Sequence, residues 1–347
     1  MREIFIVSND RFFFDRKIFY NSNKNTFTII NCFKKLKKVY LVARKSTIKL
    51  KFTNKINNIE LIDLLRFLKI INRIKQRKII VVSLTPFNFL VSFILILLGV
   101  KKKNFFLFLR SDGFKEYEIK FGLIGHLVYG VMLNVLKKKL TILSCSKSLT
   151  GVNKPRLLFP SEITNSWLQN RKKQIKNISK NKPLNLFYLG RFRKEKGYES
   201  LINLVDEMKM SVNLKMVGND FKYLKKAHYP KSKKIKIFGQ ISTNTKLIKF
   251  FDQSDIFILP SFVEAYPQVI LESLSRLKPI VIFNEIKYLK KTFPYGLYNC
   301  KRNKSDLEKK LKLIMKNYKK IQTGILKKKI YTLKNFTTQI NKIMIDG

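Results

Sequence analysis

The chain has 347 residues, 45% of them hydrophobic, which is material for two α/β domains of ordinary size, each with a core of its own. Its formal net charge is +50, from 72 basic and 22 acidic residues, a balance suited to nucleic acid, an anionic membrane or a polyanionic substrate. The lysines are spread through nearly every segment, as a compositional bias would place them, and no zinc, RNP or basic-zipper signature accompanies them, so nucleic acid is set aside and attraction to an anionic membrane surface is retained.

In the first half, apolar strands at 3–8, 38–43, 79–83, 105–109 and 140–144 alternate with helical or loop segments, the pattern of an α/β domain. The amino-terminal MREIFIVSND holds an apolar core too short for a signal peptide. The stretch IIVVSLTPFNFLVSFILILLGV, Ile79–Val100, is uncharged and long enough to cross a bilayer, but Pro86 and Asn88 interrupt it. A strand ending near Ser83, a turn at Thr85-Pro86 and a buried helix to Leu98, stopped by Gly99, explain it better; insertion of one face into a membrane stays open. Next, FFLFL (Phe105 to Leu109) runs into Arg110-Ser111-Asp112-Gly113, at the strand end where open α/β sheets bind ligands. Asp112 either orients a substrate hydroxyl or merely opens an Asp-Gly turn. The strand in LTILSCS (Leu140 to Ser146) ends the first sheet, and lysine-rich sequence at 170–182 reads as a linker.

The second half opens on LNLFYL, Leu184–Leu189, which leads directly into Gly190, Arg191, Phe192, Arg193, Lys194, Glu195, Lys196 and Gly197. Glycines at both ends allow a tight turn, and the cations within it suit a diphosphate: arginine as a fork, lysine as a point charge. A solvated basic turn would look the same, and charge alone does not separate Arg191 and Lys196 from Arg193 and Lys194. Further on, SFVEAYPQVILESLSRLKPIVIF (Ser261 to Phe283) reads as a loop, a helix with Pro267 at its first position, and a strand. Glu264 precedes that helix and Glu272 falls in its second turn, on the face of Gln268 and away from the apolar stripe 270, 274, 277. The free amides at this helix start suit phosphate. A dipole-favouring Glu264 and a solvated Glu272 explain the pair equally well when it is viewed alone.

Taken in order, the strand with GRFRKEKG, then Val217-Gly218, FGQIS (Phe238 to Ser242), FFDQSDIFILPS (Phe250 to Ser261) and the Glu-x7-Glu run resemble the donor half of GT-B glycosyltransferases of family 4, over residues 183–285. The resemblance implies two Rossmann-like domains facing a central cleft: 1–165 on the acceptor side, 183–325 for the nucleotide sugar, and a terminal helix in 326–347 crossing back to the first domain. It implies that Arg191 and Lys196 hold the diphosphate behind Gly190, that Glu264 contacts the transferred sugar, and that Glu272 contacts the ribose. Ala265 and Tyr266 would offer backbone groups to sugar or phosphate, while Gln240 and Ile241 would lie near the nucleobase. Arg110 and Asp112 are the acceptor-side candidates, because related transferases often carry an acidic or histidine residue there. The sequence departs from the pattern at Asn219-Asp220, where a second glycine often follows, and at the first strand, where REIFIV leads into SNDRFFFD rather than a glycine pair.

The implied activity is a retaining, metal-independent transfer of a sugar from a UDP- or GDP-linked donor to a saccharide or lipid-linked acceptor hydroxyl. The expected setting is cell-surface polysaccharide, lipopolysaccharide or glycolipid synthesis, in the cytoplasm or on the inner face of its membrane. No cofactor or metal is expected: Cys32, Cys145 and Cys300 are far apart, and only His126 and His228 could add imidazoles. A sugar-nucleotide epimerase, a phosphorylase, or a non-catalytic basic protein binding polyanions or membranes are the competing readings.

Overall fold

Runs of β-branched and aromatic residues form the strands, and the glycines, prolines and asparagines between them turn the chain. The computed structural model describes residues 3–15, 18–21, 23–46, 54–56, 59–62, 70, 74, 76–146, 155–179, 181–219, 230–241 and 243–346. Asp220, His228 and Ser242 lie outside them. The chain divides into two units, Met1–Glu162 with Leu333–Gly347, and Ile163–Thr332.

Unit 1 contains strands β1 (Glu3–Asp15), β2 (Ile18–Asn21), β3 (Lys38–Lys45), β4 (Asn54–Ile56), β5 (Ile59–Ile62), β6 (Lys78–Val82), β7 (Phe105–Leu109), β8 (Thr141–Ser144) and β9 (Arg156–Leu157), with helices α1 (Lys24–Cys32), α2 (Pro86–Leu97) and α3 (Gly113–Lys139). Strands β5-β3-β1-β6-β7-β8-β9 lie side by side and parallel. All five expected strands are present. The first is longer than expected: SNDRFFFD is not a loop but continues β1 past a register shift between Val7 and Arg11, because its aromatic run pairs antiparallel with β2. The strand and helix expected within Ile79–Val100 are β6 and α2: Thr85 caps α2 by accepting from the amide of Asn88, and Gly99 turns the chain at φ 81°. Buried Asn88 donates to the carbonyls of Val82 and Ser83 at 2.8 Å each, fixing the turn from strand to helix.

Unit 2 carries β10 (Leu184–Leu189), β11 (Val212–Val217), β12 (Ile235–Phe238), β13 (Ile256–Leu259), β14 (Ile280–Phe283) and β15 (Leu297–Cys300), and helices α4 (Tyr198–Asp206), α5 (Asn244–Asp252), α6 (Gln268–Ser275), α7 (Lys304–Lys316) and α8 (Tyr318–Leu326). The sheet order is β12-β11-β10-β13-β14-β15, all parallel. Buried residues alternate along β10: Leu186 and Tyr188 join a core with α4 and α7, while Phe187 joins the opposite one with Trp167, Phe251 and α6. The final helix, α9 (Leu333–Asp346), belongs to unit 1; there Asn341 donates to the carbonyl of Cys32 at 3.1 Å and Gln339 to that of Leu157 at 3.0 Å.

Two cations are buried beside α6. Arg276 takes Asp252 in a fork, at 2.7 and 2.8 Å, and donates to the carbonyls of Trp167 and Gln169. Lys278 is fully buried, and among the described residues its ammonium meets the Gln174 amide oxygen at 3.3 Å and the Asp252 carbonyl at 3.4 Å. Burial, reinforced by Lys176, pushes its pKa down to about 8. Between that value and the unfolded value of about 10.4, the unfolded chain holds a proton that the folded chain lacks, so this residue makes stability rise with pH across the window. Urea denaturation at about pH 7.5 and 9.5 should show that rise in the wild type and a smaller one in Lys278→Met. Equal rises would mean that Lys278 stays charged in the fold.

Candidate active site

In an open parallel sheet, helices on either side of the point where strand order reverses diverge and leave a crevice at the carboxyl ends of the strands. In unit 2 that point falls between β10 and β13. The segments leaving those two strands are Gly190–Gly197 and Pro260–Glu264, so topology places the basic turn beside the first glutamate. The turn leaves β10 with the amide of Gly190 donating to Val217 and that of Phe192 to Asn219, winds through a single helical turn at Lys194–Lys196, and ends at Gly197 in the left-handed region, φ 65°. A β-carbon at Gly197 would collide with the carbonyl of Pro260, and one at Gly218 with that of Gly190. Glycine is thus required for close approach at both places.

Two contacts close the junction. Lys196 Nζ meets Glu264 Oε1 at 2.7 Å, and the amide of Phe262 donates to the carbonyl of Glu195 at 3.0 Å. Ser261 Oγ donates to the same carboxylate oxygen at 2.7 Å, whereas Oε2 has no partner among the described residues. Arg191 is exposed, and its guanidinium makes no hydrogen bond or ion pair among the described residues. Its carbonyl accepts from the buried Tyr188 hydroxyl at 2.9 Å. Burial, then the nearby Glu264 charge, raises the pKa of Tyr188, which keeps the phenol a donor.

Two supporting residues have no signal in the sequence. The Tyr288 hydroxyl accepts from the amide of Glu264 at 3.1 Å and donates to the Glu264 carbonyl, bracketing that peptide from 24 residues away. Arg302 donates to the carbonyl of Pro260 at 2.9 Å and to Ser200 Oγ at 2.7 Å, and its guanidinium lies 4.1 Å from the Phe262 ring and 4.3 Å from that of Phe283. Together they fix the backbone on both sides of Ser261-Phe262-Val263.

Glu272 is 5% exposed, so the solvated-helix reading fails for it. Pro267 occupies the position before α6, at φ −70° and ψ 121°, rather than the first helical position, and α6 ends at Ser275. Leu277, expected on the helix stripe, lies past its end at φ 57°, with the amide of Lys278 donating to the carbonyl of Ser273. Ala265 is buried, and Tyr266 packs on Phe293 with ring centroids 5.0 Å apart. Gln240 is half-buried past the end of β12, and half-buried Ile241 packs on the core beneath α6.

Unit 1 reverses its strand order between β1 and β6, and a pocket of about 330 Å³ lies at the carboxyl ends of its strands. Asn9, Ser83, Thr85, Arg110, Ser111, Glu116 and Lys120 are among its polar lining. Desolvation lowers the Arg110 pKa, opposed by Glu162 and Asp10. Asp112 is placed differently: its carboxylate caps α3, accepting from the amide of Lys115 at 3.2 Å. Of the two acceptor-side candidates, only Arg110 lines the pocket.

Residues 169–327 match the family model described as glycosyl transferases group 1. No curated protein sequence matches the chain. Among solved structures, HepE from Anabaena in complex with UDP is 12% identical, with TM-score 0.69 and 100% of each chain covered. Sucrose-phosphate synthase from Thermosynechococcus elongatus is 11% identical, with TM-score 0.68, covering 100% of this chain and 99% of its own. WaaG, a glycosyltransferase involved in lipopolysaccharide biosynthesis, is 12% identical, with TM-score 0.66, covering 99% of this chain and 100% of its own. The chain has the GT-B fold of two parallel-sheet α/β domains. Its second unit is similar to glycosyl transferases group 1.

If Tyr288 holds the Glu264 peptide as described, Tyr288→Phe should destabilise the protein by about 1–3 kcal/mol by leaving that amide without an acceptor. Hydrogen exchange should quicken at the Glu264 amide and stay unchanged at the Phe262 amide, which bonds to Glu195. Unchanged exchange at Glu264 would show that the phenol does not hold it.

Proposed function

We propose that the protein is a retaining, metal-independent glycosyltransferase of family 4 that moves a sugar from a UDP- or GDP-linked donor to a hydroxyl of a saccharide or lipid-linked acceptor. The observation that carries the proposal is the junction at the strand reversal of unit 2, where Lys196 pairs with Glu264 beside an exposed Arg191. A diphosphate leaving group must be neutralised as its bond to the sugar breaks. Arg191 can fork onto phosphate oxygens, and the three donors of Lys196 can serve Glu264 and a phosphate together. In this reading the neutralisation falls to these two cations.

Glu264 already has its Oε1 engaged by the Lys196 ammonium and the Ser261 hydroxyl. Its role is to orient the transferred sugar, with Oε2 accepting from sugar hydroxyls. Glu272 would take the ribose, Ala265 and Tyr266 the sugar or phosphate through their backbone, and Gln240 and Ile241 the base. Arg110 would face the acceptor from unit 1. The family match in unit 2, a UDP complex among the structural neighbours and WaaG's part in lipopolysaccharide synthesis support this reading and a setting in cell-surface glycan assembly. Work at the cytoplasmic face of the membrane fits that setting.

A thermal-shift panel of UDP, GDP, ADP and their sugars should raise the melting temperature with one base only, because a donor binds only the folded state. With that donor, Glu264→Ala and Lys196→Ala should lower the transfer rate by about 10²–10³-fold in protein that still melts cooperatively. Full transfer by either folded variant would overturn the proposal. So would sugar turnover that needs free phosphate or no acceptor, which would mark a phosphorylase or an epimerase.

A further inference from the structure

Helix α3 is apolar on two opposite faces. Beyond its break at Gly122 (φ 63°, ψ −155°), Tyr129, Met132, Leu133 and Leu136 are buried in the core of unit 1. On the other side Leu123, Ile124 and Leu127 are 76%, 74% and 68% exposed, continued by exposed Val128 and Val131. The spacing 123, 124, 127, 128, 131 is one helical stripe, where a surface helix of a water-soluble domain places polar side chains. Here polar residues resume only at Asn134 and Lys138. Helix α2 packs beside α3 and adds exposed Leu90, Phe93 and Leu97, again one stripe, and Ile119 and Phe121 extend the patch ahead of the break. Contiguous exposure of this kind marks an interaction surface.

The charges around the patch decide what it meets. Both helices return from the carboxyl ends of neighbouring parallel strands, so their own carboxyl ends lie together. That end carries exposed Lys101, Lys102, Lys103, Lys138 and Lys139; Thr141 Oγ donates to the Lys102 carbonyl at 3.3 Å and Lys78 Nζ to that of Lys103 at 3.0 Å. Exposed Lys115 and Lys120 stand at the other end. Among the described residues the acids at that end are Asp112, which caps α3, Glu116 and Glu118, and Glu118 faces His126 Nδ1 at 3.2 Å. A second copy meeting this face with its helices parallel would set lysines against lysines. An anionic bilayer accepts both the apolar stripe and its lysine frame. Spanning the bilayer is ruled out by the break at Gly122 and by the buried face, since α3 cannot leave the sheet without opening the core.

We infer that the α2–α3 face of unit 1 docks in plane on an anionic lipid bilayer, with Leu123, Ile124, Leu127 and Val131 at the acyl boundary and the flanking lysines among the head groups. This goes beyond the transferase reading and does not depend on it. The pocket of unit 1 shares Lys120 and Phe121 with the docking face, which places these two lining residues beside the lipid head groups.

The test is flotation of the full chain with vesicles of phosphatidylcholine, alone or mixed with phosphatidylglycerol. Wild type should float with the mixed vesicles and be released by added salt. Leu123→Ser/Ile124→Ser/Leu127→Ser should bind at least about tenfold more weakly at an unchanged melting temperature, since all three side chains are exposed. Lys101→Glu/Lys102→Glu/Lys103→Glu should remove the preference for phosphatidylglycerol. In a separate variant, Leu127→Trp, fluorescence should shift to the blue on mixed vesicles above the constant signal of buried Trp167. Undiminished flotation of the folded serine variant would overturn the inference, as would equal binding to both vesicle types. A wild-type dimer that the serine substitutions dissolve, with no vesicle binding, would overturn it in favour of self-association.

Discussion

The ion pair between Lys196 and Glu264 joins the two segments that leave the strands at the reversal point of unit 2, and much of that unit is arranged to hold it. The parallel order sets β10 and β13 side by side. Gly197 and Gly218 then let backbone approach backbone where any side chain would stand in the way. Tyr288 and Arg302 hold the Glu264 segment from behind by its peptide groups. A partly buried pair of this kind contributes little net stability but leaves a strongly destabilising charge if one partner is removed. Its value is geometric: a lysine tied to a carboxylate at one oxygen keeps its other donors aimed at an anion, and the carboxylate keeps its second oxygen for a hydroxyl.

The same interaction explains why the site was only half legible in the sequence. LNLFYL followed by glycine and alternating cations is a local pattern, and the two glutamates around a proline are another, so both segments could be read before the fold was known. Their contact could not, because Lys196 and Glu264 are 68 residues apart and only the strand order brings them together. Tyr288 and Arg302 were invisible for a related reason: each acts on carbonyl or amide groups of a distant segment, and a backbone group has no residue type to recognise. At Pro267 and Leu277 the sequence misled by a small shift. Proline's fixed φ fits the position before a helix as well as its first residue, and an apolar residue at helical spacing can equally pack from the turn that ends the helix.

In unit 1 β1, β3, β6, β7 and β8 were legible because each contains an apolar run buried on both faces, as parallel strands do. The short strands β2, β4, β5 and β9 were not, since polar residues within them read as loop. Asp112 shows the limit of residue type as a guide: a carboxylate at the end of a strand suits a substrate and the first turn of a helix alike, and here the amide of Lys115 has it. Arg110, one residue nearer the sheet, keeps the position at the pocket.

The exposed apolar face of α2 and α3 reverses the emphasis that hydropathy alone would give. The longest uncharged stretch, Ile79–Val100, is divided between a buried strand and a helix, and only Leu90, Phe93 and Leu97 of its helix are left as large exposed side chains. Helix α3 draws less notice because Lys115, Glu116, Glu118 and Lys120 lower the average of its first turns. Yet α3 exposes more apolar side chains, because apolar residues encircle it beyond Gly122 while a sheet can cover only one side. Mean hydropathy cannot separate a helix that is apolar because it is buried from one that is apolar on the side it shows to solvent. Burial resolved residue by residue can, and along α3 the exposed stripe ends where the lysines begin, as an element lying flat on a charged interface requires.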